Sequence, residues 1–201
     1  MPADLFTDRY SPQALEEFIG NVEIVEKALL WAKHWESGKK QKPLFFFGAP
    51  GVGKTALAYL IAREMKWSLF EMNASDIRDR DSIEKIAGAA TANSSLFGTK
   101  RLILLDEIDG LQSQDRGGAG AMLSVLKEAN NPVILCANDA YDKKLSSLRS
   151  FCELAEFKKI NYLSIAKRLR EIATKEGIEF DDEADRAMGI RLVPMGCFSF
   201  A

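Results

Sequence analysis

The sequence predicts a parallel α/β sheet with helices on both faces, and three observations carry that expectation. Short, continuous apolar runs of strand length alternate with helical patterns along most of the chain. A glycine-rich loop joins the first such run, LFFF at 44–47, to the helix that follows it. A second run, RLILL at 101–105, ends directly in paired acids. In open parallel sheets, ligands bind at the carboxyl ends of the strands, where such loops lie.

Residues 1–21 are mixed and turn-rich. From Val22 to about Trp35, Ile24, Ala28, Leu29 and Ala32 recur at helical spacing, and SGKKQKP (37–43) ends that helix. The run 44–47, lying between Pro43 and Gly48, reads as a buried parallel strand. Next come a helix from Lys54 to about Lys66, a strand at 68–72 and a helix near 81–90. A strand at 101–105 is followed by a helix around 119–129, a buried strand at 133–137 and a last strand near 153–157. A long amphipathic helix spans Tyr162 to Glu176, with Leu163, Ala166, Leu169, Ile172 and Ala173 on one side. It suggests the start of a helical domain, giving an expected division into 1–158 and 159–201.

Composition excludes several classes. The 201 residues are 47% apolar and 28% charged, which is ordinary for a globular protein and unlike a disordered, collagenous or disulfide-built chain. No apolar run approaches the roughly 20 residues that span a bilayer, and MPADLFTDRY lacks a signal-peptide pattern. Cys136, Cys152 and Cys197 are far apart and not in metal spacing, so they read as thiols in a reducing compartment. His34 is alone, which removes histidine-based metal sites and triads. The net charge of −2 decides nothing about nucleic acid, which responds to local basic surface.

GAPGVGKT at 48–55 fits the phosphate-loop pattern through Gly48, Gly53, Lys54 and Thr55, with Pro50, Gly51 and Val52 inside the loop and Ala56 in the first helical turn. Glycines let backbone N–H groups wrap a phosphate, and the helix N-terminus adds partial positive charge. Lys54 would reach the β- and γ-phosphates of ATP or GTP, and the Thr55 hydroxyl would ligate Mg2+. Asp106, at the end of its strand, would hold the same Mg2+ through water, and Glu107 would polarise an attacking water. Asn138, just past VILCA, either hydrogen-bonds the γ-phosphate or caps a loop as an Asx turn. Asn73, after SLFEM, faces the same alternatives; it could also hold Glu107 away from water until a partner binds.

The glycine loop, the acid tract DEID at 106–109, Asn138 at a strand end and a helical extension after the fifth strand resemble the AAA+ ATPases. Within them, RYSP…FIGN near the start, FEMNASD (70–76) and DEIDG (106–110) are similar to the clamp-loader ATPases called replication factor C; DEID is nearer the large subunit than the small ones, and a start almost at RYSP resembles archaeal large subunits. The resemblance covers residues 1 to about 183. It implies strand order 5-1-4-3-2, a helical lid, adenine packing by Tyr10, Pro12, Ile19 and Gly20, and γ-phosphate sensing by Asn138. The other reading of the N-terminal tract is a strand-free arm lying on the core. The function implied is that of an ATPase, working in an assembled complex, that opens a sliding clamp and loads it on primed DNA. A motor for branched DNA and a non-hydrolysing ATP-binding scaffold are the alternatives. Cytoplasmic, nucleoid-associated location follows from the same resemblance.

Two tracts depart from that pattern. Small clamp-loader subunits carry Ser-Arg-Cys before the fifth strand, and the arginine reaches a neighbour's ATP; here Ser150-Phe151-Cys152 stands in its place, with Arg149 one residue away. The lid's Gly-Asp-x-Arg-type tract is absent after Glu183, and neither Arg186 nor Arg191 matches it, so the chain reads as truncated or altered at its end.

The resemblance also implies partners. Besides the small subunits, the clamp would meet TANSSLFG (91–98) through Leu96 and Phe97, apolar residues in a polar setting. Arg78, Arg80 and Lys85 are either contacts to the primed-DNA backbone or, with Asp76, Asp79 and Asp81 interleaved, a solvated charged face. KKQK at 39–42 reads as a solvated loop.

Overall fold

Phe45 and Phe47 of strand β1 (Leu44–Phe47) point to one side of a sheet while Leu44 and Phe46 point to the other, and all four are buried. A strand of that kind needs cover on both faces. The computed structural model, which describes residues 9–73, 80–91, 100–111 and 118–177, supplies it. The remaining strands are β2 (Ser68–Asn73), β3 (Arg101–Asp106), β4 (Val133–Ala137) and β5 (Glu153–Glu156). They lie in the order β2-β3-β4-β1-β5, all parallel, which is the expected order read from the opposite edge.

Helices α1 (Val22–Glu36) and α2 (Lys54–Glu64) cover one face, where Ile24, Ala28 and Trp31 and then Leu57, Ala58 and Ile61 pack on Phe46, Leu104 and Cys136. The other face is covered by α3 (Arg80–Thr91), α4 (Gly118–Glu128) and α5 (Ser146–Phe151), with Ile86, Met122 and Leu148 against Phe45, Ile103 and Leu135. A tryptophan cluster closes the α1 side. Trp31 meets Trp35 and Trp67 edge-on at 6.3 and 6.4 Å between ring centroids, and its indole N–H donates to the Lys42 carbonyl at 2.7 Å.

Some boundaries differ from the sequence reading, for local reasons. Helix α2 stops at Glu64 rather than Lys66, because Lys66 turns into the left-handed region at φ 55° to lead into β2. Strands β2 and β3 each run one residue further than expected, to Asn73 and Asp106, and those two residues pair in register. Helix α5 has no counterpart in the sequence pattern. Its six residues are too few for a periodic pattern.

Helix α6 (Tyr162–Glu176) has the expected bounds. The Asn161 side chain accepts from Leu163 N at 3.0 Å at its start, and Gly177 turns out of it at φ 68°. Its apolar stripe is covered only in part by described residues: Ala166 and Ala173 are buried, while Leu163 is 59% exposed.

Among the described residues, the N-terminal stretch 9–21 is a strand-free arm that carries the 3-10 turn Leu15–Glu17. Asn21 ties it to the segment after β5 twice, donating to the Lys158 carbonyl at 3.1 Å and accepting from Lys158 N at 2.8 Å. At its other end Arg9 and Tyr10 both donate to Glu176 of α6, the arginine at 2.8 Å.

Candidate functional site: a phosphate loop facing an acidic strand end

The loop after β1 is shaped by three glycines at positive φ: Gly48 at 142°, Gly51 at 76° and Gly53 at 96°. Two of them are also hemmed in. A Cβ on Gly48 would lie 2.4 Å from the Phe157 carbonyl oxygen, and one on Gly53 would lie 2.8 Å from the Phe18 ring. A backbone carbonyl at Gly48 and an aromatic ring at Gly53 therefore come too close for a side chain to be added without a shift. Phe18 is the aromatic that precedes Ile-Gly in the FIGN tract, which is the sequence signal for this contact.

Lys54 opens α2 with its side chain 8% exposed. Its ammonium donates to the carbonyls of Gly48 at 2.7 Å and Ala49 at 3.0 Å and to Asn138 Oδ1 at 3.1 Å. Burial holds its pKa below the ordinary lysine value, opposed by nearby acids including Asp106 and Asp109. Val52 is buried, Pro50 and Gly51 are exposed at the loop's tip, and Ala56 is half-buried.

Opposite the loop, Thr55 Oγ1 donates to Asp106 Oδ2 at 2.7 Å, and the other Asp106 oxygen accepts from Glu107 N at 2.8 Å. Glu107 is exposed and takes φ 52°, an unusual backbone conformation for a residue with a side chain. Its Oε2 accepts from Asn73 Nδ2 at 2.9 Å. Lys54, Thr55, Asp106, Glu107 and Asn138 thus converge at the carboxyl ends of β1, β3 and β4. A hydroxyl and a carboxylate, both hard oxygen donors beside a phosphate loop, are a set that suits Mg2+, which keeps waters and takes one or two carboxylates with phosphate oxygens.

A family model described as "ATPase family associated with various cellular activities (AAA)" matches residues 44–160, from the first residue of β1 to just past β5. The chain belongs to the AAA family. Among curated AAA relatives, it is 44% identical over 179 residues to the Replication factor C large subunit of Natronomonas pharaonis, covering 89% of this chain and 36% of that protein. The Thermofilum pendens protein of the same name is 40% identical over 192 residues, covering 92% of this chain and 46% of its own length. The chain therefore spans less than half the length of these relatives. In fold it is similar to the Thermotoga maritima RuvB Holliday junction branch migration motor, with TM-score 0.66 and 22% identity over 92% of this chain and 64% of the other.

The arm residues named for adenine meet different parts of the chain. Ile19 and Phe18 line a cleft of about 300 Å³ against Ser164, Lys167 and Arg168 of α6. Gly20 faces Ile160, Tyr10 is held by Glu176, and Pro12 is half-buried. Arg149 donates to the Ala140 carbonyl at 2.9 Å and lies over the Tyr141 ring at 5.0 Å, while Phe151 packs on the core. Lys85 is exposed on α3. Leu96, Phe97 and Arg78, the Arg80 side chain and the tail with Arg186 and Arg191 lie outside the described residues. Among the described residues, no helix is long and apolar enough to cross a membrane.

Proposed function

We propose that this chain is the nucleotide-binding part of a clamp-loader large subunit, an ATPase that helps open a ring clamp and place it on primed DNA. The observation that carries the reading is the convergence of a buried Lys54 and the Thr55–Asp106 pair with Glu107 held off by Asn73. Lys54 and the loop amides bind the β- and γ-phosphates, with Gly48, Pro50, Gly51, Val52, Gly53 and Ala56 forming the loop's wall. Thr55 and Asp106 hold Mg2+, which supplies charge neutralisation on the phosphates. Glu107 orients and polarises the attacking water, and Asn138 contacts the γ-phosphate. Tyr10, Pro12, Ile19 and Gly20 lie against the adenine, and α6 begins a second, helical domain.

In this arrangement Asn73 keeps Glu107 from the water position until a partner draws the amide away. The names of the relatives support the assignment of role. Partners follow from it: small subunits, a clamp docking on Leu96 and Phe97, and a DNA backbone near Arg78, Arg80 and Lys85. The setting is the cytoplasm, with the nucleoid.

The test is ATP turnover, measured for the chain alone and then with small subunits, clamp and primed DNA added in turn. Turnover that rises with clamp and primed DNA supports the reading. Stimulation by branched DNA instead would make it a branch-acting motor. Binding without turnover in every mixture would make it a scaffold.

A further inference from the structure

The acid tract 106–109 holds three carboxylates, of which Asp106 and Glu107 are used above. We propose that the third, Asp109, is a positioning residue that sets the backbone of Asn138 and so aligns its amide for the γ-phosphate; this rests on the reading of the site given above.

Asp109 lies in the 3-10 turn Ile108–Gly110 that directly follows Glu107. The turn is fixed from beneath by Ile108, fully buried in the core, and closed by Gly110 N donating to the Glu107 carbonyl at 2.7 Å. From it Asp109 Oδ2 reaches across to accept from Asn138 N at 3.1 Å. Asn138 is the first residue past the end of β4, beyond the last ladder pair of Ala137 with Phe47. The sheet no longer dictates its backbone there, and a charge-assisted bond from a fixed turn does.

A second link runs beside the first. Lys144 Nζ donates to the Asp109 carbonyl and lies 3.3 Å from Asp142 Oδ2, while Asp142 Oδ1 accepts from Lys144 N at 3.0 Å. The turn carrying Glu107 and the loop carrying Asn138 are thereby joined at two points. The Asn138 side chain in turn meets Lys54 at 3.1 Å. A nucleotide that moves Asn138 must therefore move the turn holding Glu107 as well. Because Asn138 is exposed, its N–H would find water if the carboxylate were removed. The loss then falls on alignment rather than on folding.

Calorimetry of the full chain with Mg2+ and either ATPγS or ADP tests this. Asp109→Ala should weaken ATPγS binding about tenfold and ADP binding by less than about twofold, as expected for one charge-assisted bond acting on the γ-phosphate contact. Asp109→Asn, which keeps an acceptor oxygen at that place, should restore most of the difference. Asp109→Ala combined with Asn138→Ala should cost no more than Asn138→Ala alone. Equal losses for both nucleotides, no loss, or additive losses in the double variant would overturn the proposal. If the unaltered chain binds neither nucleotide, the reading of the whole site fails instead, so the two failures are distinguishable.

Discussion

The side-chain amide of Asn73 at the end of β2 donates to the Glu107 carboxylate at 2.9 Å, so the residue placed to polarise water is held by the neighbouring strand. Both partners are polar and accessible, so the restraint is modest. Asn73→Ala is expected to raise ATP turnover measured without clamp or DNA about threefold to tenfold, the range of one ordinary, solvent-accessible hydrogen bond. Stimulation by primed DNA should shrink by the same factor. Unchanged turnover in both conditions would separate this bond from catalysis.

Lys54 carries its charge at a cost that pH can relieve. Its pKa is lowered in the fold, mainly by burial, so the unfolded chain, with lysine near 10.5, holds the proton more tightly. Stability then rises with pH across the interval between the lowered folded value and 10.5. Comparing urea unfolding of the native chain and Lys54→Met without nucleotide, the native chain should gain on the variant as pH is raised through that interval. The same substitution should weaken ATP binding by about a hundredfold or more, from loss of the ammonium on the phosphates.

Gly53→Ala meets two obstacles, the positive φ and the Phe18 ring 2.8 Å from the new Cβ. A destabilisation of about 1–3 kcal/mol is expected from thermal melting. Adding Phe18→Ala removes only the steric part, so the double variant should still melt below Phe18→Ala alone. Full recovery to that level would show that the backbone angle costs nothing.

Arg149 is engaged within its own subunit, by the Ala140 carbonyl and the Tyr141 ring. Arg149→Ala should lower stability by about 1 kcal/mol and leave turnover at a neighbouring subunit's site unchanged. A fall in the neighbour's turnover with unchanged melting would instead make Arg149 the arginine supplied in trans.

Much of this arrangement can be read in the residues themselves. LFFF, followed by a loop of glycines and a lysine, fixes a strand, a turn and a helix in order, because each is decided by local chemistry. The long helix is bounded by Asn161 and Gly177, residues whose preferences mark helix ends. What escapes is whatever depends on distant residues meeting. Phe18 against Gly53, Asp109 against Asn138 and the pairing of Asn73 with Asp106 join parts of the chain that no local pattern relates. Helix α5 is missed for the opposite reason, being too short to show a period.

Among the described residues, strand β2 lies at the border of the sheet, with β3 as its ladder partner. Lifting the tip that bears Asn73 therefore breaks pairing on one side only, whereas Phe47 at the tip of β1 is clasped from both, by Ala137 and Glu156. The brake on the acid hangs from a border of the platform, and the loop that grips phosphate hangs from a strand held on both flanks. A ligand tugging there can free the acid while leaving the grip in place.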